Sequence, residues 1–415
     1  MPAPTLYRCL WLTTRIRRRP RRIEFFQGTT TNSLSQDVRI FDTTLRDGEQ
    51  TPRTSFSYEN KRQIAAQLDE MGTHVIEAGF PVNSDDEFEA VRDIAAATST
   101  TVCGLARVVE NDIEAALDSG VDMVHVFVST SDVQLEDSMH ATRTEAKQQA
   151  VESITRVVEA GAECMFSPMD ATRTDEEFLS DIVNAAADAG ADWINVPDTC
   201  GVSTPERFQA LVADVVDASG DARVDVHTHD DFGLATPNAL AGYRGGASQA
   251  QVSVNGIGER AGNAAYEEVV MGLESLYDVD TGIDTTQIAD LSKTVEEQSA
   301  VPVPGNKPVV GDNAFAHESG IHAAGVIENS ETFEPGVMTP DMVGAEREFV
   351  LGKHTGTHSV RKRLEDVGFE PTDEEVRSVT QKVKESGVSA GHVTDTDLER
   401  FAHEVDITRH EEVRV

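Results

Sequence analysis

From residue 37 onward, short runs of apolar and β-branched residues alternate with longer stretches whose apolar positions recur at intervals of three and four. The short runs predict strands over "VRIFD" (38–42), "HVIEAG" (74–79), "TVCGLA" (101–106) and "MVHVFVS" (123–129), and then over "ECMFSP" (163–168), "WINVPD" (193–198), "VDVHTH" (224–229) and "AQVSVNG" (250–256). Stretches between them, such as "YENKRQIAAQLDEMG" and "TEAKQQAVESITRVVEAG", predict amphipathic helices, several closing on a glycine suited to a left-handed C-cap. Eight strands, each followed by a helix, over about 240 residues are the count and size of a (β/α)8 TIM barrel. A doubly wound open sheet is the competing arrangement, and the near-regular eightfold rhythm favours closure. The reading is therefore an α/β chain with a barrel over 37–282, a linker over 283–311 and a small, mainly helical C-terminal subdomain over 312–415. Within the linker, "IDTTQIADLSKTVEEQSA" reads as a helix leading out of the barrel and "VPVPGNKP" as a proline-rich hinge. A subdomain on such a hinge suits a homodimer.

A barrel places its chemistry at the C-terminal ends of its strands, so unusual polar residues should gather there. Strand one ends in Asp42 and then Arg46 and Asp47, and strand two carries Glu77. Strand four carries His125 and ends in Ser129, Thr130 and Ser131. Strand five ends at Ser167 and Asp170, strand six at Asp198 and Thr199, strand seven in "HTHD" (227–230), and strand eight runs into "NGIGERAGN" (255–263). Residues kept only for stability would be scattered over both ends.

His227 and His229 stand two apart on a strand, so both imidazoles face one side, into the barrel mouth. A lone buried histidine is usually hydrogen-bonded core, whereas two on one face at a strand's C-terminal end suit metal ligation. With Asp47 they make a mixed nitrogen and oxygen set of the kind that takes Mn, Fe(II), Co or Zn and accepts Mg. Arg46, beside that set, would offer a fixed cation to a developing oxyanion rather than a weak surface ion pair. "NGIGERAGN" lacks the G-x-G-x-x-G spacing and does not open a βαβ unit, which argues against a nucleotide loop. Its glycines permit a tight turn from which Glu259 and Asn263 point back toward the metal.

Composition narrows the partners. The formal net charge is −38, with 35 basic against 73 acidic residues, spread along the chain. Such a surface repels nucleic acid and anionic lipid and fits a hydrated surface adapted to high salt. No apolar run approaches the roughly 18 residues of a membrane span. Four scattered cysteines (Cys9, Cys103, Cys164, Cys200) read as free thiols in a reducing cytoplasm. The first 36 residues differ from the rest: "RCLWLTTRIRRRPRR" is basic and acid-free, which fits a targeting peptide, a disordered extension or a start placed too far upstream.

Four motifs in order, "FDTTLRDGEQTP", "HTHDDFGLATPNAL", "NGIGERAGNAA" and "FAHESGIHAAGV", resemble the 2-isopropylmalate, citramalate and homocitrate synthase family, over about Val38 to Gly368. The resemblance implies a metal-dependent Claisen condensation of acetyl-CoA with a 2-oxo acid, followed by thioester hydrolysis that releases CoA. It implies Asp47, His227 and His229 as ligands of a divalent metal (Mn, Mg or Zn), with Asn263 nearby, and Arg46 as the catalytic cation. His322, within "ESGIH", matches a histidine that such enzymes bring from the C-terminal subdomain, often of a neighbouring subunit, to assist base catalysis. Glu259 joins the catalytic candidates; His125, Ser167, Thr199 and Glu77 are the candidate substrate contacts.

Two positions depart from that pattern. Met169 stands where the family usually has a glutamate, and Phe333 where it usually has a tyrosine. Neither side chain moves a proton, and Asp170 could substitute only if the strand has already ended. Residues 373–415 are also too few for the allosteric domain common in leucine- and isoleucine-pathway members. "STSDVQLEDSMH" after strand four carries Asp132, Glu136 and Asp137 and no base, an acidic loop that would repel a second substrate carboxylate. The expectation is an apolar 2-oxo acid, 2-oxoisovalerate, and hence 2-isopropylmalate synthesis for leucine. Citramalate synthase (pyruvate) and homocitrate synthase (2-oxoglutarate) are the alternatives, and a catalytically silent regulatory paralogue is the reading from another class. A lyase would bring a cysteine on a glycine-rich loop after the last strands, where this chain has none.

Overall fold

The computed structural model describes residue 34, residues 37–329, residue 332 and residues 337–409. The basic N-terminus before Leu34 and Phe333 lie outside the described residues. Eight parallel strands close into a barrel in sequence order: β1 (Arg39–Asp42), β2 (Val75–Gly79), β3 (Thr101–Arg107), β4 (Met123–Ser129), β5 (Glu163–Met169), β6 (Trp193–Asp198), β7 (Arg223–Thr228) and β8 (Gln249–Val252). Closure is made by β1 on β8, with Phe41 opposite Gln251 and Asp42 opposite Val252. The (β/α)8 barrel is the observed fold, and its helices fall in the predicted intervals. Ser57 and Asn60 form a capping box at the start of Tyr58–Met71, and Gly72, at φ +86°, ends that helix.

Strand alternation divides the barrel into two packed layers. Ile40, Ile76, Val102, Val124, Phe166 and Ile194 join one large cluster between the sheet and its helices. Their neighbours Phe41, Val75, Cys103, Met123, Met165 and Trp193 form a separate buried cluster in the barrel interior. Burying such side chains stabilises by about 1.5–3 kcal/mol each. Two residues further along each strand, the same inward face carries Thr43, Glu77, Leu105, His125, Ser167 and Asn195. On these six strands the interior thus changes from an apolar layer to a mainly polar one, with Leu105 the exception, while β7 and β8 add the buried polar Asp225, Gln249 and Gln251.

Strand eight is shorter than its sequence suggests. It ends at Val252, and residues 254–256 turn in a single 3-10 turn with Asn255 at φ +61°. The segment after the barrel forms helix Ile288–Ser299, whose Ile288, Leu291 and Val295 belong to the barrel's own cluster. Leu34 is buried in the same cluster. Farther on, helices Thr357–Asp366, Asp373–Ala390 and Asp395–Glu404 enclose a second core of Val360, Leu364, Phe369, Val379, Val383 and Leu398. A short parallel pair, Ala316–His317 with Glu348–Phe349, precedes it. Among the described residues, no helix is long and apolar enough to cross a membrane.

Candidate active site

The loop after β1 brings Arg46 and Asp47 to the barrel mouth. Asp47 is buried, and its Oδ2 lies 3.3 Å from His227 Nε2 and 3.9 Å from His229 Nε2. The two imidazole Nε2 atoms are 3.0 Å apart. Asn263 donates its Nδ2 to Asp47 Oδ2 at 2.8 Å. The loop's glycines make this approach possible: a Cβ on Gly258 would stand 2.8 Å from Asn263 Nδ2, and a Cβ on Gly262, which holds φ +98°, would collide with Gly256 O.

Burial alone would raise the Asp47 carboxyl, but Arg46 and then His227 hold it well below the usual carboxylate range. Burial and the neighbouring His227 push His229 down to about 3, so its ring is neutral at ordinary pH. The donor set therefore comprises an ionised carboxylate and a neutral imidazole beside a second imidazole, all offering atoms within 4.8 Å of one another. His229 Nδ1 and Asn263 Oδ1 are buried without a hydrogen-bond partner. Convergent lone pairs, with the Asn263 Oδ1 acceptor left unpaired beside them, fit a divalent cation with nitrogen and oxygen ligands.

A second chain of contacts runs behind these groups. Arg46 donates Nε to Glu77 Oε2 at 2.7 Å, and its Nη1 lies 3.4 Å from Asp47. Glu77 is fully buried; burial works to raise its carboxyl, but Arg46 and the hydrogen bond with His125 hold it at about 2. Being ionised, Glu77 can only accept, so His125 carries its proton on Nδ1, 2.8 Å away. Asn195 donates to Ser167 Oγ at 2.7 Å, and Ser167 turns its own proton to His125 Nε2 at 2.6 Å. Burial lowers His125, which keeps it neutral in this chain of contacts. His125, Ser167 and Thr199 line the cavity with Arg46, Asp47 and Glu259. Thr199 Oγ1 accepts from the Asp170 amide, leaving its hydroxyl proton for another acceptor.

Not every polar strand end belongs to this centre. Asp170 follows the end of β5 at φ +70°, and its buried carboxylate is held by Ser131 and Arg173 rather than facing the cavity. It does not stand in for the glutamate replaced by Met169, which does line the cavity. Asp198 accepts from Thr172 and from the Val202 and Ser203 amides, and Asp42 accepts twice from Thr44. These carboxylates organise loops. His322 is exposed on helix Gly320–Glu328 and is not part of the cavity lining. Glu259 is exposed at the cavity rim beside Arg260.

Sequence reasoning missed Gln251, Asn195 and Arg260. Gln251 takes His227 Nδ1 at 2.9 Å, and the signal was available: Gln249 and Gln251 alternate on one face of a strand beside "HTH". The acidic loop after β4 also reads differently in the structure. Asp132 is bound by both Nε and Nη2 of Arg143, each at 2.8 Å, and no acid of that loop lines the cavity.

Comparison with known proteins places this geometry. The HMGL-like family matches residues 37–295, and the "Homocitrate synthase post-HMGL domain-like" family matches residues 309–390. A Methanopyrus kandleri protein provisionally named 2-isopropylmalate synthase is 52% identical over 84% of this chain and 70% of its own length. The 2-isopropylmalate synthase of Sulfolobus acidocaldarius is 46% identical over 89% of this chain and 96% of its own. Among solved structures, hydroxymethylglutaryl-CoA lyase from Pseudomonas aeruginosa shares the fold, with a TM-score of 0.56 and 23% identity over 64% of this chain and 94% of that one. With the family match spanning more than half of its length, the chain belongs to the HMGL-like family, in the branch of the 2-isopropylmalate, citramalate and homocitrate synthases.

Proposed function

We propose that the chain is a 2-isopropylmalate synthase of leucine biosynthesis, joining acetyl-CoA to 2-oxoisovalerate and releasing CoA. The observation that carries this reading is one cavity in which Arg46, Asp47, His227 and His229 face an apolar wall of Leu105, Phe127, Met169 and Pro197. The polar end suits the 2-oxo acid group, and the wall suits a branched aliphatic side chain. A second carboxylate, as in 2-oxoglutarate, would meet Arg260, but that guanidinium is already paired through two nitrogens with Asp231. Citramalate synthesis from pyruvate is the second reading, supported by a 46% identical Methanothermobacter thermautotrophicus relative provisionally named (R)-citramalate synthase.

A divalent cation (Mn, Mg or Zn) held by Asp47, His227 and His229, with Asn263 beside them, would polarise the oxo group. Arg46, fixed by Glu77, offers its positive charge to the oxygen that gains electron density. Thr199 has a hydroxyl proton for a substrate carboxylate oxygen, and His125 and Ser167 shape the same wall. Glu259 is the cavity carboxylate outside the cation set, so it is assigned the methyl proton of acetyl-CoA, with His322 assisting from the neighbouring copy of a homodimer. Water then cleaves the thioester. We divide the chain into a barrel (37–282), a linker (283–311) and a helical subdomain (312–415). We assign it to a salt-rich cytoplasm on its charge of −38 and its free Cys103, Cys164 and Cys200. Mass analysis of the acid formed from acetyl-CoA and 2-oxoisovalerate tests the assignment: 2-isopropylmalate supports it, and no new acid contradicts it.

A further inference from the structure

The cation set has a support beneath it that fixes how one ligand carries its proton. Gln251 and His227 are directly opposed across β7 and β8, as are Asp225 and Gln249. Gln251 Nε2 lies 2.7 Å from Asp225 Oδ2 and 3.4 Å from Met165 Sδ. A thioether sulfur only accepts, so this amide gains a partner in Met165 with its nitrogen side turned there, as the structure has it. The carbonyl Oε1 then faces His227 Nδ1 at 2.9 Å and can only accept. The Gln251 side chain thus has three partners, and Gln251, His227, Asp225 and Met165 are all buried.

We propose that Gln251 is a positioning residue that commits His227 to its Nδ1–H form. The Nε2 lone pair is thereby aimed at the point shared with Asp47 and His229. The inference rests on the reading of Asp47, His227 and His229 as cation ligands. Without the Gln251 carbonyl, His227 is free to place its proton on Nε2, where it blocks ligation, and to rotate about its ring axis. Outer partners of this kind typically change metal affinity by about 10–100-fold.

The test uses the full-length, metal-free protein in concentrated KCl at pH 8, titrated with Mn2+ alone. Gln251→Leu removes both the donor and the acceptor; Gln251→Glu keeps an acceptor for His227 while losing the donors toward Asp225 and Met165. The expected result is Mn2+ binding about 10–100-fold weaker in Gln251→Leu and within a few-fold of wild type in Gln251→Glu. Nitrogen-15 shifts of the histidine rings give a reading independent of binding and of activity, with His227 protonated at Nδ1 in wild type. Unchanged Mn2+ affinity in a folded Gln251→Leu protein, or a wild-type His227 protonated at Nε2, would overturn the inference while leaving the ligands in place. No Mn2+ binding by wild-type protein would overturn the ligand reading itself, and the role of Gln251 with it. Should Gln251→Leu fail to fold, the wild-type ring shifts and the Gln251→Glu titration decide.

Discussion

Arg46 donates its Nε to Glu77 at 2.7 Å while its Nη1 lies 3.4 Å from Asp47, so one guanidinium spans two buried carboxylates from different strand ends. Its orientation is fixed before any substrate arrives. Donors held this way cost no reorganisation when charge develops, which is the main source of electrostatic stabilisation in such centres.

Arg46→Lys should therefore damage chemistry more than binding. An ammonium is a point charge and cannot hold both carboxylates through a planar fork. We expect kcat to fall by about 10²–10³-fold, with Mn2+ affinity changed only a few-fold. Steady-state kinetics with 2-oxoisovalerate and a Mn2+ titration check this; an unchanged kcat contradicts the role given to Arg46.

Met169 and Glu259 make an opposed pair of predictions. Glu259→Gln should lower kcat by about 10²–10⁴-fold, the usual contribution of a positioned base. Met169→Glu should give no gain beyond a few-fold, because Met169 here is wall rather than a lost base. Thiol release measured on both variants decides: a tenfold or larger rise in Met169→Glu would mark a decayed site and revive the silent paralogue.

The barrel and the convergence of Asp47, His227 and His229 were legible in the sequence for a common reason. Period-two alternation put His227 and His229 on one face, and a strand end followed by Arg46 and Asp47 could point to few places in a closed barrel. What stayed hidden depended on how loops turn. Asp170 and Asp198 look like active-site acids by position, yet a left-handed residue after β5 and two backbone amides after β6 draw them into loop scaffolding. The pairing of Asp132 with Arg143 was equally invisible, since the partners lie eleven residues apart across a helix start. Gln251 was missed because a polar residue in a strand signals an interior network only once its cross-strand partner is known.

Lys61 ties the segment after β1 to the helix Asp85–Ala97 that follows β2. It is 2% exposed, donates to Leu45 O at 3.1 Å, and pairs with Glu49 at 2.7 Å and Glu87 at 2.6 Å. Its loss leaves the Glu49 and Glu87 carboxylates, 25% and 13% exposed, without their cation and the Leu45 carbonyl without this donor, at a cost of about 1–3 kcal/mol. Lys61→Met should lower the unfolding free energy by that amount in denaturant titrations. A loss below about 1 kcal/mol, the value of a surface pair, would contradict this.

Asp42 predicts a pH dependence. Burial, offset in part by Thr44 and reinforced by the charges of Glu77 and Glu267, pushes its carboxyl from 3.8 up to about 7. Between those values the folded chain holds a proton that the unfolded chain has lost, so stability falls as pH rises through this window and levels off above it. Asp42→Asn, which resembles the protonated form, should flatten the decline between about pH 4 and 7 and raise Tm at pH 8. Parallel Tm profiles for wild type and variant would show that Asp42 does not titrate there.

The most direct measurement is CoA thiol release by purified protein with acetyl-CoA, Mn2+ or Mg2+ and concentrated KCl, run in parallel with 2-oxoisovalerate, pyruvate and 2-oxoglutarate. The account predicts release that is fastest with 2-oxoisovalerate and abolished by Asp47→Ala. Fastest release with pyruvate would move the chain to citramalate synthesis. Release with none of the three, from a protein that still binds Mn2+, would contradict the assignment as a synthase.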